Sequence, residues 1–224
     1  MATLYLVRHG QASFAAENYD RLSELGRRQS VWLGEYFAER GLVFARAVCG
    51  TLERQRDTAR AILETMGSGL AAEEHPGWNE YSGEALYKAY LGDEWARARA
   101  QGDVRSVYRT IKAALAAWSA DQLPGPLPET WGGFGERIAA AMHAACADLP
   151  DDANVLAASS GGAIGRSVAD LLQAPAQTAI ELNLQFRNSG FCEIFFSPRS
   201  MRLISFNCVP HLERNGRREA ITYS

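Results

Sequence analysis

The chain has 224 residues, 47% of them hydrophobic and 22% charged, with 26 acidic side chains against 23 Lys and Arg. That composition supplies enough apolar side chain for a sizeable core and excludes disordered, collagen-like and disulfide-scaffold proteins. A formal net charge of −3 without a long basic run offers nucleic acid no electrostatic footprint.

Residues 3–7 read TLYLV, a buried strand that ends at Arg8-His9-Gly10. Ser23 is an N-cap candidate for a helix whose apolar residues Leu25, Val31, Trp32, Leu33, Tyr36 and Phe37 recur at helical spacing until Gly41. Residues 43–48 form a second strand and lead into a second helix, which carries Ala59, Ile62, Leu63 and Met66 and stops at Gly67. This β-α-β-α alternation implies parallel pairing. Residues 84–119 are mostly helix formers, anchored by Leu86, Tyr90, Trp95, Tyr108, Ile111, Leu115 and Trp118, and Pro124, Pro126 and Pro128 then break the pattern. Residues 84–130 therefore read as a helical insertion within one domain spanning 1–224. An alanine-rich helix follows at 131–148, then a strand at 155–159 that enters Ser160-Gly161-Gly162, and a helix at 163–172. Residues 190–197 and 201–207, separated by Pro198-Arg199-Ser200, form a terminal hairpin on the sheet edge. The expected fold is α/β: a three-layer α/β/α sandwich with a mostly parallel sheet, one antiparallel edge hairpin and a helical insertion.

The four cysteines, Cys49, Cys146, Cys192 and Cys208, make neither a CxxC pair nor a dense framework, which points to reduced thiols in the cytoplasm. No apolar run approaches a membrane span, and residues 4–7 run into Arg8 and His9 instead of a signal-peptide cleavage region.

His9 lies just past a strand's carboxyl end, where open α/β sheets bind ligands, and Arg8 beside it is a permanent planar cation. His9 is thus a candidate nucleophile, although Arg-His-Gly alone favours the reading of a loop histidine bonded to backbone. Three further segments add context: LSELGRRQ at 22–29, TLERQRDTA at 51–59 and NEYSGE at 79–84. With LYLVRHG at 4–10, VLAASSGGAI at 155–164 and SFNCVPHL at 205–212, the chain resembles the histidine phosphatase superfamily, the phosphoglycerate-mutase-like proteins.

The resemblance implies a nucleophile at His9, a first phosphate-binding arginine at Arg8, and a second at Arg54, which matches the arginine of the family's SPLxRAxQTA segment. It places the acid/base carboxyl at Glu80. A neutral imidazole can attack phosphorus, two guanidiniums can clamp its nonbridging oxygens, and a carboxyl can protonate the leaving alkoxide before activating water, with no metal or other cofactor required. Without the resemblance, Arg54 is a solvated charge on a helix's first turn and Glu80 a surface carboxylate. Glu84 is then a competitor, and Arg56 a weaker phosphate candidate on another helix face.

One departure stands out. The family has a second histidine in a segment reading V-[ST]-H-G-G, where this chain has Ala158-Ser159-Ser160-Gly161-Gly162. Ser160 can still donate a hydrogen bond, and the amides that open the next helix at Gly161 can face an anion. Losing one preorganised oxyanion donor costs roughly 10²–10³ in turnover. His211 is a candidate replacement imidazole from the end of the terminal hairpin; the plain alternative is a loop histidine that caps backbone groups. Gln11 and Ala15 stand where the family often has glutamate and asparagine, with Ser13 or Asn18 as substitute polar contacts. His75 and His143 lack metal-ligand spacing.

The expected activity is metal-independent hydrolysis of a small organic phosphate through phospho-His9. The alternative is a weakly active or non-catalytic phosphate-binding protein of the same fold. A phosphomutase is less favoured, because nothing identifies a second phosphate subsite. The expected partner is a small phosphate ester, with a homodimer left open and neither nucleic acid nor membrane involved.

Overall fold

Alternate side chains of the first strand, β1 (Ala2–Arg8), face opposite sides of the sheet: Leu4 and Leu6 join one core, Tyr5 and Val7 another. Both faces are covered, which is why Tyr5 and Val7 are buried on one side as Leu4 and Leu6 are on the other. The computed structural model describes residues 1–13, 20–94 and 104–223, so Ala15, Asn18 and Trp95 lie outside the described residues.

Five more strands complete the sheet: β2 (Phe44–Cys49), β3 (Glu73–Glu74), β4 (Asn154–Ser159), β5 (Phe191–Ser197) and β6 (Ser200–Cys208). Their order is β3-β2-β4-β1-β5-β6. The first four in that order pair in parallel, and the β5–β6 hairpin lies antiparallel beside β1 as expected.

On one face lie α1 (Glu24–Glu39) and α2 (Glu53–Thr65), whose Leu33, Phe37, Ile62 and Leu63 pack on Tyr5, Val7 and Leu156. Edge-to-face contacts of Phe37 with Tyr5 at 5.4 Å and with Phe191 at 5.3 Å each contribute about 0.5–1.5 kcal/mol beyond area burial. The other face carries α3 (Gly83–Leu91), α4 (Val104–Ser119), α5 (Trp131–Cys146), α6 (Gly161–Leu171) and α7 (Ala176–Gln185). Leu86, Leu115 and Trp118 of α3 and α4 enter the same core as Leu4, Leu6 and Val155, so the segment read as an insertion is anchored on the sheet's own core.

Ser23 caps α1 as expected, its Oγ accepting the Gly26 N–H at 3.0 Å. By contrast α2 has Leu52 at its N-cap and borrows a cap from elsewhere: Asp20 Oδ2 accepts the Glu53 N–H at 2.9 Å. Three features depart from the sequence reading. The helix expected at 163–172 starts at Gly161, β3 adds a short second edge, and α7 follows Pro175 in a stretch for which no element was expected.

Candidate active site

Strands β1 and β4 run in register from Leu4 opposite Val155 to Arg8 opposite Ser159, so the loops at His9 and Ser160 leave the sheet side by side. The His9 N–H bonds the Ser159 carbonyl at 2.9 Å. Gly10 donates to Thr58 Oγ1 at 3.1 Å, and α1 passes so near that a Cβ on Gly10 would lie 2.3 Å from the Gly26 carbonyl oxygen. Only glycine fits there. His9 is consequently 4% exposed.

Its ring has a defined tautomer. Nδ1 lies 2.7 Å from the Gly10 carbonyl oxygen, which can only accept, so Nδ1 carries the proton. Nε2 keeps its lone pair and receives the Arg54 Nε–H at 3.2 Å. Burial first, then the charges of Arg54 and Arg8, hold the imidazole well below the usual histidine range. A neutral ring whose Nε2 lone pair accepts from a guanidinium N–H has the chemistry of a nucleophile wherever an anion draws that N–H away.

Arg54 is 8% exposed and so is no solvated charge; its Nη1 pairs with Asp20 Oδ1 at 2.7 Å. Arg56 points outward and pairs with Glu74 at 3.6 Å. Arg8 is buried too, its Nη1 bonding the carbonyls of Phe186 and Tyr223, which fixes the guanidinium plane. It lies against the start of α6: a Cβ on Gly161 would approach Arg8 Nε at 3.5 Å and Asn183 Oδ1 at 2.7 Å.

Glu80 follows a 3₁₀ turn over Pro76–Trp78 and reaches the first turn of α6. Its Oε2 accepts the Gly162 N–H at 2.8 Å and its Oε1 the Tyr81 N–H at 3.2 Å. A side chain at 162 would collide with it, since a Cβ there would sit 2.3 Å from Glu80 Oε1. Burial raises the carboxyl above its ordinary range despite the opposing pull of the Gly162 amide and Arg54. Glu84, the competing carboxylate, is exposed and pairs with Lys88 at 2.7 Å.

Ser160 is 1% exposed, and its Oγ accepts from Gln55 Nε2 at 2.8 Å. Gln11 and Ser13 take part in bracing: Gln11 Oε1 accepts from Ser23 Oγ at 2.9 Å, and the Ser13 N–H bonds the Arg21 carbonyl at 2.8 Å. His211 is wholly buried, its Nε2 lying 2.8 Å from Ser189 Oγ. The Ser189 N–H in turn bonds the His9 carbonyl at 3.2 Å, so His211 supports the main chain of His9 and not its ring. His75 accepts from the Gly77 N–H at 3.0 Å, opening the 3₁₀ turn, and His143 sits exposed on α5.

Asp20, Gln55 and Asn183 were not expected at the site. A lone Asp, a Gln on α2 and an Asn on α7 carry no sequence signal of their own. Among the described residues, no group of three or more His, Cys, Asp or Glu side chains is placed to hold a metal ion, and no helix is long and apolar enough to cross a membrane. A cavity of about 380 Å³ lined by Ile138, Met142, His143 and Met201 opens at the far end of the sheet, near the β5–β6 turn. The register of β1 on β5, Ala2 opposite Phe196 and Val7 opposite Phe191, separates that end from His9.

Burial of His9 and His211 carries a stability consequence. Burial pushes His211 down to about 3, with Arg217 and Arg214 adding to the effect. Its stabilising contribution is complete above the unfolded value near 6.5 and is lost as pH falls from there towards the folded value, because only the unfolded chain takes the proton. At pH 4.5 this amounts to about 2–3 kcal/mol. Thermal unfolding at pH 7 and 4.5 should therefore show a smaller acid loss for His211→Gln than for the parent; equal losses would rule out this linkage.

Over 109 residues, 44% of this chain, the sequence is 33% identical to a 2,3-bisphosphoglycerate-dependent phosphoglycerate mutase of Bartonella henselae. The match spans about half, 53%, of that relative's length. A mycobacterial glucosyl-3-phosphoglycerate phosphatase, solved with VO3, superposes with a TM-score of 0.62 at 26% identity, covering 92% of this chain and 99% of the other. A phosphoserine phosphatase from Entamoeba histolytica shares the fold with a TM-score of 0.65 at 18% identity, covering 95% and 100%. Residues 4–209 match the family profile itself, and the chain belongs to the histidine phosphatase superfamily, branch 1.

Proposed function

We propose that this protein is a metal-independent phosphomonoesterase that hydrolyses a small organic phosphate through a phosphohistidine on His9. The observation that carries the reading is the neutral His9 ring, protonated on Nδ1 by its bond to the Gly10 carbonyl, with the Nε2 lone pair beside the Arg54 guanidinium. Nε2 attacks phosphorus in line while Arg8 and Arg54 hold the nonbridging oxygens. Glu80 gives its proton to the departing alkoxide. The resulting carboxylate then takes a proton from water, whose oxygen attacks phospho-His9 and releases inorganic phosphate and neutral imidazole. A glucosyl-3-phosphoglycerate phosphatase that is 26% identical over 92% of this chain supports the hydrolase reading. The four free cysteines support a cytoplasmic location.

Ser160 favours a second reading. Here the site binds phosphate without turning it over, for want of an imidazole opposite His9. The two readings separate in one experiment. Incubation with an aryl phosphate and a rapid alkaline quench should yield an acid-labile, base-stable phosphoryl group that peptide mapping places on His9. Saturable vanadate binding, with neither label nor turnover across a panel of phosphate esters, would instead establish the binding protein.

A further inference from the structure

Gln55, the residue after Arg54 on α2, is 0% exposed. A carboxamide buried so completely normally has all its polar atoms partnered. Its nitrogen is: Nε2 donates to the Trp78 carbonyl at 3.2 Å and to Ser160 Oγ at 2.8 Å. Its oxygen is not, for Oε1 has no hydrogen-bond partner among the described residues. A buried acceptor left unmet costs about 1–3 kcal/mol, so something holds the amide in this orientation.

The Trp78 carbonyl supplies the reason. A carbonyl oxygen can only accept, so the NH₂ end must face it, and the reversed amide would set two oxygens against each other. The oxygen end lies in space that only glycine leaves open, since a Cβ on Gly50 would fall 1.8 Å from Oε1. With the amide fixed, Ser160 Oγ receives a proton from Gln55 and must send its own elsewhere. The hydroxyl does not cap α6, and among the described residues no acceptor takes its proton. Ser160 meanwhile sits between Ser159, whose carbonyl receives the His9 N–H, and Gly162, whose N–H holds Glu80.

We propose that Gln55 is a positioning residue that fixes Ser160 Oγ as an acceptor and so presents its O–H to the phosphoryl group held by His9, Arg8 and Arg54. The inference rests on the phosphatase reading and deepens it: the hydroxyl works as a dedicated donor to a nonbridging oxygen, and the amide behind it does the aiming. An O–H···O⁻ bond of this kind is charge-assisted and strengthens as charge grows on those oxygens.

Ser160→Ala, Gln55→Leu and the double variant test the pairing, with turnover of an aryl phosphate and vanadate affinity as separate readouts. Ser160→Ala should lower kcat by roughly 10²–10³-fold with little change in KM, and weaken vanadate by at least about tenfold. Gln55→Leu keeps the side-chain size and should reproduce both losses. The double variant should be no worse than the more impaired single. Additive losses, or a Gln55→Leu protein with lowered thermal stability but unchanged kcat per folded molecule and unchanged vanadate affinity, would overturn the proposal. Vanadate affinity reads the contact even without turnover, and Ser160→Ala tests the hydroxyl should Gln55→Leu not fold. His9→Ala in the same assays separates the two levels: retained turnover there defeats the phosphatase reading, whereas loss there beside normal Gln55→Leu and Ser160→Ala proteins defeats only this inference.

Discussion

His9→Ala is expected to cut kcat/KM for an aryl phosphate by about 10⁴-fold or more, which corresponds to at least about 5 kcal/mol of transition-state stabilisation. The size follows from chemistry that no neighbour can replace. Arg54 and Arg8 bear no lone pair, Ser160 has no base bonded to its hydroxyl proton among the described residues, and His211 is wholly buried against Ser189. The fold should survive. The ring's own bond to the Gly10 carbonyl is worth about 1 kcal/mol net, and the loop keeps its backbone ties to Ser159, Ser189 and Thr58. At this chain length a loss of that size lowers Tm by about 2–4 °C. Inorganic phosphate should still inhibit residual turnover or bind calorimetrically within a few-fold of the parent affinity, because both guanidiniums remain. Turnover within tenfold of the parent would remove His9 from the mechanism, and loss of phosphate binding with the fold intact would make the histidine a ligand organiser, not the nucleophile.

The elements that position His9 were legible because each had a local cause. A strand that buries both faces is apolar without a break, and Ser23 and Gly41 bracket α1, with Gly41 at φ +66° where other residues strain. The missed helix α7 had weaker marks. Pro175 before its first turn and Ile180 with Leu184 one turn on were its only local signals, and its covered side is set by packing on α6. At the site, His9, Arg8 and Arg54 became candidates only through several motifs in order, since Arg-His-Gly alone describes a loop histidine and Arg54 alone a solvated charge. The choice of Glu80 over Glu84 needed the whole pattern, since only the path through the 3₁₀ turn brings Glu80 to α6. Gln55 was beyond local reasoning: its partner Ser160 lies 105 residues away, and nothing in a helical glutamine signals burial. Asp20 likewise acts at long range, offsetting the missing cap of α2 across 33 residues and pinning the guanidinium of Arg54 across 34.

Glu80→Gln should divide substrates by their leaving groups. In the parent, the two key groups move in opposite directions. Burial and two arginines lower His9, while burial raises Glu80, so more molecules hold a neutral imidazole together with a protonated carboxyl than ordinary pKa values allow. Turnover of alkyl phosphates should therefore fall on the acid side as His9 protonates and on the alkaline side as Glu80 loses its proton. The amide cannot supply a proton. Alkyl phosphate turnover should drop by roughly 10²–10⁴, and the alkaline limb assigned to Glu80 should vanish from kcat/KM while the acid limb stays. An aryl phosphate carries a leaving group that departs without protonation, so the first step should survive. The second should not, because no carboxylate remains to activate water. The expected signature is a burst of one equivalent of phenol followed by slow release of phosphate, with phospho-His9 accumulating. Stability should change little: Gln keeps the bond from Gly162 through its oxygen but sets its NH₂ against the Tyr81 N–H, a loss of about 1 kcal/mol. Against this, a raised carboxyl pKa means the native state gives up stability as pH climbs through it, and the amide abolishes that loss. Equal rate losses on alkyl and aryl substrates without a burst, or an unaltered alkaline limb, would assign Glu80 to holding the Gly162 amide alone.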